Sequence, residues 1–332
     1  MNDMPSEERP RNRLLDWMLS IMFPILLGTV GRISNTASRR LASFCAILFR
    51  AFNWGGMKLI RANIAVAFPE MNEKERNSLA KRNVFHCIWN WLDFIRLLKH
   101  PERVGDFIED IRIPEDLTYP CIMCIPHIGS WELLAQGVPH HMHGGAAAVA
   151  ALFPYPKLNE ILARSRTING LEIIPREGAV RGVFAALRKS INVGILIDQN
   201  LSPKHGGLFV DFFGLPVPTS PLPALAAMRR GVSLASGACI RGENGKFTIV
   251  VRNLGKPGDD ETAQQLTQRI IAANEQMIRE WPEQYTWLYK RWFYTPVDLE
   301  PERAARLPFY AKAPKYSLSD NVEPRIRKGA EQ

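Results

Sequence analysis

The stretch Cys121-Ile122-Met123-Cys124-Ile125-Pro126-His127-Ile128-Gly129-Ser130-Trp131-Glu132 reads as a strand, a turn and the start of a helix. Cys121 to Ile125 is a short apolar run bounded by Pro126, the pattern of a buried strand. Gly129 and Ser130 then lead into a helix-like run from Trp131 to Gln136. A histidine at the mouth of such a turn stands where α/β sheets present reactive groups. Glu132 lies five residues on. From the first turn of the helix its carboxylate can fold back toward the imidazole, holding one ring nitrogen protonated and leaving the other free to take a proton. No GxSxG nucleophile elbow accompanies the pair, so it points to direct transfer in which the acceptor's own hydroxyl attacks. Taken alone, the same residues also fit a hydrogen-bonded structural histidine.

Outward from this stretch the chain alternates. Ile111 to Ile113 reads as an edge strand, Ala146 to Phe153 as a strand, and Pro156 to Thr167 as an arginine-rich helix. Leu171 to Ile174 is a strand, Gly178 to Ser190 a helix and Val193 to Ile197 a fully apolar strand. Ser233 to Ile240 and Phe247 to Val251 continue the sheet across a turn at Glu243-Asn-Gly245, and Glu261 to Trp281 is a long helix stopped by Pro282. Such alternation predicts an α/β fold with a mostly parallel central sheet and helices on both faces. Residues 56–296 would form this single domain.

Before it come two apolar stretches. The uncharged run Trp17 to Gly31 would span only about 22 Å as a helix, short of the ~20 residues a comfortable membrane span needs. Arginines flank it on both sides, and Leu41 to Trp54 carries Arg50. Residues 1–55 are therefore expected to be a tail followed by anchoring or interfacial helices. Lys58 to Pro69 is a basic amphipathic helix. Asn72 opens another to about Lys99, whose aromatic stripe of Phe85, Trp89, Trp91 and Phe94 has the spacing of a core face. The segment 297–332 is rich in proline and charge and is expected to be loose.

The chain has 332 residues, 46% of them hydrophobic, enough for a substantial core. Mean hydropathy is −0.13, which excludes a polytopic membrane protein. A net charge of +9 suits an anionic partner such as a lipid surface or an acidic protein. The basic residues are scattered and no nucleic-acid-binding motif is present, so a nucleic-acid partner is not expected. Five cysteines, an odd number, read as reduced thiols and place the body in the cytoplasm. Cys121 and Cys124 form C-x-x-C, but on a strand they point to opposite faces, and no second pair exists to make a metal site. His140, His141 and His143 read as a polar loop. Asp198-Gln199-Asn200 closes an apolar strand where an open α/β sheet presents ligand-binding groups, although an aspartate simply capping a turn fits equally. With neither a P-loop nor a GxGxxG motif, no nucleotide cofactor is called for, and no metal.

Taken together the motifs resemble those of the bacterial lipid A late acyltransferases, over nearly the whole chain. The resemblance is carried by Arg61-Ala-Asn-Ile64 with Ala67-Phe-Pro-Glu70, by His127 with Glu132, by Arg164-Ser-Arg166, and by Ile197-Asp-Gln199. Leu208-Phe-Val-Asp-Phe-Phe-Gly214 with Thr219, and Pro282-Glu-Gln-Tyr-Thr-Trp-Leu288 with Arg291, complete it. It implies an inner-membrane enzyme, its catalytic domain cytoplasmic, that moves an acyl chain from an acyl carrier protein thioester to a hydroxyl of a lipid A precursor. The family's H-x-x-x-x-D/E motif falls on His127 and Glu132 as catalytic residues. Its arginine and DQ positions fall on Arg166, Asp198 and Gln199 as substrate-binding residues, with Arg164 and Arg176 close to the first. The chain departs from the family in its short, Pro24-containing anchor. A tetrahedral intermediate would need donors: backbone N–H groups near Gly129 and Ser130, or the guanidinium of Arg166, which could instead grip a lipid phosphate. Phe153, Phe184, Phe212 and Phe213 are candidate walls of an acyl slot. The alternatives are a relative acting on another glycolipid or phospholipid, and a non-catalytic membrane-binding protein.

Overall fold

The computed structural model describes residues 22–151 and 155–318. Helices come first: α1 over 22–29, α2 (Asn35–Phe52), α3 (Trp54–Ala67), α4 (Glu73–Lys99) and the one-turn α5 (Val104–Phe107). The body follows as β1 (Ile108–Arg112), β2 (Cys121–Ile125), α6 (Trp131–Gly137), β3 (Ala146–Ala150), α7 (Pro156–Ile168), β4 (Leu171–Pro175), α8 (Ala179–Arg188) and β5 (Asn192–Leu196). Then come β6 (Leu208–Phe212), β7 (Leu215–Thr219), α9 (Leu222–Arg230), β8 (Ser233–Arg241), β9 (Phe247–Gly255) and α10 (Ala263–Glu280). The described chain closes with β10 (Tyr294–Pro296), α11 (Pro301–Ala304) and β11 (Lys312–Tyr316).

Seven strands form one sheet in the order β1-β9-β8-β2-β5-β3-β4. From β8 to β4 every pairing is parallel; β9 runs antiparallel to β8, and β1 lies parallel to β9 at the edge. This is the mostly parallel α/β sheet that the alternation predicts. β2 sits at its centre with all five residues buried, as a parallel strand covered on both faces requires. Ile122 and Cys124 belong to the larger core cluster, whereas Cys121, Met123 and Ile125 belong to the cluster on the other face. The two cysteines of C-x-x-C therefore lie on opposite sides of the sheet.

The helix α4 is fixed at its start by a capping box, in which Asn72 and Glu75 satisfy each other's backbone N–H groups. Its aromatic stripe does not serve one purpose. Trp89 is buried, whereas Trp91 is 53% exposed and, with Phe94, lines a cavity described below. The core reading holds for only part of that face.

Among the described residues no helix is long and apolar enough to cross a membrane. Part of the expected Trp17 to Gly31 run lies outside the described residues; its described part is α1 and a 3-10 turn at Val30–Arg32. The helix α2 is amphipathic: Ser38, Ala42 and Ala46 are buried, while Phe44, Ile47, Leu48 and Phe52 are exposed. The segment after Pro296, expected to be loose, is held in place as far as residue 318. β11 pairs with β10, Arg306 donates to the carbonyls of Val66 and Phe213, and Tyr310 hydrogen-bonds to the Asn63 side chain. Proline and charge there accompany short, side-chain-anchored elements.

Candidate active site

The strands β2 and β5 are parallel neighbours, with Ile125 opposite Leu196, and the Ile197 N–H donates to the Ile125 carbonyl just past their ends. The next residues of each chain segment are consequently brought together: His127 after β2 and Asp198 after β5. Asp198 is 2% exposed. Its Oδ1 lies 2.5 Å from Nδ1 of His127, and its Oδ2 accepts the His127 backbone N–H at 2.8 Å. One carboxylate thus holds both the ring and the main chain of the histidine. With Nδ1–H donating to Asp198, Nε2 carries the free lone pair, and the side-chain amide of Gln199 stands 3.4 Å from it.

Burial pulls the His127 pKa down, but the charge and hydrogen bond of Asp198 outweigh it and the imidazole stands above its ordinary value. Burial likewise pushes Asp198 up, yet His127 and then Arg291 hold its carboxyl below the usual range. Arg291 is itself buried. It donates to Asn200 Oδ1 at 2.9 Å and to Thr219 Oγ1 at 2.6 Å, tying the loop after β5 to the end of β7.

Glu132 is not the carboxylate bonded to His127. Ser130 caps α6, its hydroxyl accepting from the Leu133 N–H, so Glu132 lies in the helix's first turn beside α7. There Arg166 takes it in a two-pronged grip, with Nη2 to Oε1 at 2.6 Å and Nε to Oε2 at 3.2 Å. The expected His127–Glu132 bond is therefore replaced by His127–Asp198. Asp198, expected to bind substrate, is buried against the imidazole and orients it. Arg166 does reach the site, engaged with Glu132, and Gln199 borders Nε2.

The backbone donors expected near Gly129 and Ser130 are already committed. The Gly129 N–H donates to the Gln284 carbonyl at 3.0 Å, and the Ser130 N–H to the Cys239 carbonyl at 2.9 Å. The His127 carbonyl accepts from Thr286 N–H at 2.9 Å. Gly129 has φ +59, and a Cβ there would run into the Cys239 carbonyl oxygen, so this position requires glycine. The turn that carries His127 is laced on every side.

A cavity of about 480 Å³ opens beside this turn. Ser130, Trp131, Glu132 and Arg166 form its polar end, and Phe94, Ile95, Leu98, Leu158 and Leu162 its apolar walls. The ring of Trp131 meets that of His127 edge-on at 5.0 Å, linking the cavity to the imidazole. An apolar cavity with few convergent polar groups is the usual form of a site for a largely hydrophobic ligand. The phenylalanines expected to line an acyl slot do not: Phe184, Phe212 and Phe213 are core residues, and Phe153 lies outside the described residues. The apolar side chains lining the cavity come chiefly from the helices α4 and α7, with Phe23 and Leu26 of α1.

A family model described as bacterial lipid A biosynthesis acyltransferase matches residues 7–293. The chain belongs to that family. A lipid A biosynthesis lauroyltransferase of Escherichia coli (strain K12) is 25% identical over 268 residues, covering 74% of this chain and 81% of that protein. A phosphatidylinositol mannoside acyltransferase of Mycobacterium tuberculosis (strain ATCC 25618 / H37Rv) is 26% identical over 190 residues, covering 56% of this chain. The match spans 58% of the length of that mycobacterial relative.

Proposed function

We propose that this chain is an O-acyltransferase that works at the cytoplasmic face of a bacterial inner membrane and moves a fatty acyl chain from an acyl carrier protein thioester to a hydroxyl of a lipid A precursor. The observation that carries the reading is the His127–Asp198 pair, whose imidazole meets edge-on the ring of Trp131, a residue of the cavity wall. The acceptor hydroxyl attacks the thioester carbonyl while Nε2 takes its proton. The tetrahedral intermediate collapses, the C–S bond breaks, and the thiolate leaves with the proton returned by the imidazolium. Base catalysis of this kind contributes about 10²- to 10⁴-fold. The Gln199 amide beside Nε2 and the Arg166 guanidinium on the cavity wall are the side-chain donors for the oxyanion, since the turn's own N–H groups are committed. The acyl chain lies between α4 and α7.

The membrane placement is supported by the exposed apolar residues Met22 and Ile25 of α1, Phe44, Ile47 and Phe52 of α2, and Trp54 beyond it. Arg32, Arg39 and Arg40, all exposed, neighbour them and suit anionic lipid. Phe23 and Leu26 of α1 also line the cavity, so the helix that carries the exposed Met22 and Ile25 contributes to it as well. All five cysteines are free thiols, consistent with a reducing compartment.

A second reading keeps the chemistry and changes the acceptor to a glycosylated phospholipid, favoured by the likeness to a phosphatidylinositol mannoside acyltransferase. Transfer of a labelled acyl group from acyl carrier protein, assayed in micelles with either acceptor and with wild type and His127→Ala, decides between them. Transfer to neither acceptor, or equal transfer by both proteins, would overturn the proposal.

A further inference from the structure

Behind the catalytic turn lies a closed ring of hydrogen bonds. The guanidinium of Arg241, the last residue of β8, is fully buried and sandwiched between the rings of Trp89 and Phe247, 3.9 and 4.1 Å from their centroids. Its Nη2 donates to Oδ1 of Asn90 at 2.7 Å and its Nη1 to Oδ2 of Asp93 at 2.6 Å. This fixes which way the Asn90 amide points, and Nδ2 of Asn90 donates to the carbonyl of Gly129 at 2.9 Å. The backbone of Arg241 pairs with the Gln284 side chain through two bonds of 2.9 Å, and the Gln284 carbonyl accepts the N–H of Gly129. Both peptide groups of Gly129 are thus held by partners that Arg241 sets in place. Gly129 is two residues from the base, and Asn90, Gly129 and Gln284 all line the cavity.

We infer that Asn90 is a positioning residue for His127: its amide, oriented by Arg241, fixes the Gly129 carbonyl and through it the ring that abstracts the proton. The inference rests on the reading of His127 as the base. One cavity wall, the catalytic turn and the innermost turns of α4 then form one rigid unit. The far side of that unit is also tied down, because Asp93 accepts from Ser38 of α2 at 3.2 Å. A catalytic group displaced by about 1 Å can cost on the order of 10²-fold in rate.

The charge count around Asn90 gives a selective test. Arg241 and Arg96 both pair with Asp93, which leaves one positive charge in excess among the three. Asn90→Asp keeps an acceptor for Arg241 and balances that charge. It removes the donor to Gly129 and sets a carboxylate oxygen against the carbonyl. The variant is expected to fold with a Tm within a few degrees of wild type, while kcat falls about 10²-fold, a loss larger than any change in the KM for acyl carrier protein donor. The strongly hydrogen-bonded Nδ1 proton of His127, followed by NMR in histidine-labelled protein, should move from its wild-type position. Asn90→Ala, which loses the donor without adding charge, should move it the same way. If either variant folds and keeps both the wild-type kcat and the wild-type proton signal, or if neither folds, Asn90 serves the fold alone and the inference is wrong. Should wild type transfer acyl groups to no acceptor, the functional reading fails by itself, and the Nδ1 proton still decides the role of Asn90.

Discussion

Nδ1 of His127 and Oδ1 of Asp198 stand 2.5 Å apart at the ends of two neighbouring parallel strands, although 71 residues separate them in the chain. The pair has two consequences for pH. A base must be neutral, so activity is present above the raised pKa of His127 and is lost as pH falls through it. Asp198→Asn removes the carboxylate that raises it. The acid limb of the pH–rate profile should move to lower pH, and the limiting rate should fall about 10²- to 10⁴-fold. An unmoved acid limb would mean that some other group sets it.

Folding stability follows the same pair with the opposite dependence for the histidine. Because its folded pKa is raised, its contribution is complete below the unfolded histidine value and is lost as pH rises through the folded one. The contribution of Asp198, whose folded pKa is lowered, is complete above the unfolded carboxylate value and is lost as pH falls through the folded one. Wild type should exceed His127→Ala in Tm most between about pH 4 and 6.5, with the margin shrinking on both sides. A margin flat from pH 3 to 9 would show that the pair is not ionised in the folded protein.

Glu132 and Arg166 make two hydrogen bonds with each side chain about one-seventh exposed, 14% and 13%. Removing one partner leaves the other charge partly buried. Urea unfolding of Glu132→Ala, Arg166→Ala and the double variant should give a coupling of about 1–3 kcal/mol, the double variant losing less than the sum of the singles. Strict additivity would mean that the grip on Glu132 adds nothing to the fold.

The cavity walls predict chain-length selection. Leu98 and Leu162 are 7% and 4% exposed and face the cavity from α4 and α7. Leu98→Trp or Leu162→Phe should shift the preference among acyl carrier protein donors toward shorter chains, with a stability cost of roughly 1–3 kcal/mol from overpacking. A competition assay with mixed acyl lengths reads the shift; an unchanged profile would place the chain elsewhere.

Membrane seating is tested with Phe52→Ser combined with Trp54→Ser, at side chains 83% and 80% exposed. Full burial of a large apolar side chain contributes about 1.5–3 kcal/mol, so the pair should weaken vesicle binding by roughly tenfold or more without lowering Tm. Binding of wild type should also weaken as salt rises, because the arginines beside these residues act through screened charge.

Much of the sheet was legible because its strands are short apolar runs broken by helices of clear periodicity. The β6–β7 hairpin was not, since Pro216 and Pro218 interrupt the strand pattern. They are tolerated because β7 pairs on one side only, with β6, so on its other edge there is no ladder for a missing N–H to break. Phe213-Gly214, both at positive φ, was the turn signal. In the site, His127 was legible from its place after a buried strand. The role of Asp198 was not, because it depends on β5 pairing with β2 while β3 and β4 lie between them in the chain. Arg241 carried no local signal: an arginine closing an apolar strand reads as a strand end, and only the fold brings Trp89, Asn90 and Asp93 to it.

His127 and Asp198 follow neighbouring strands of the sheet, whereas the cavity's apolar walls come chiefly from α4 and α7. Residues such as Leu98 and Leu158 can change size without touching the ladder that joins Ile125 to Ile197. Under the proposed reaction, preference for a donor would drift by substitution on these helices while the chemistry at His127 stayed unchanged, so a scaffold of this design would be re-targeted among lipids without reinventing its chemistry.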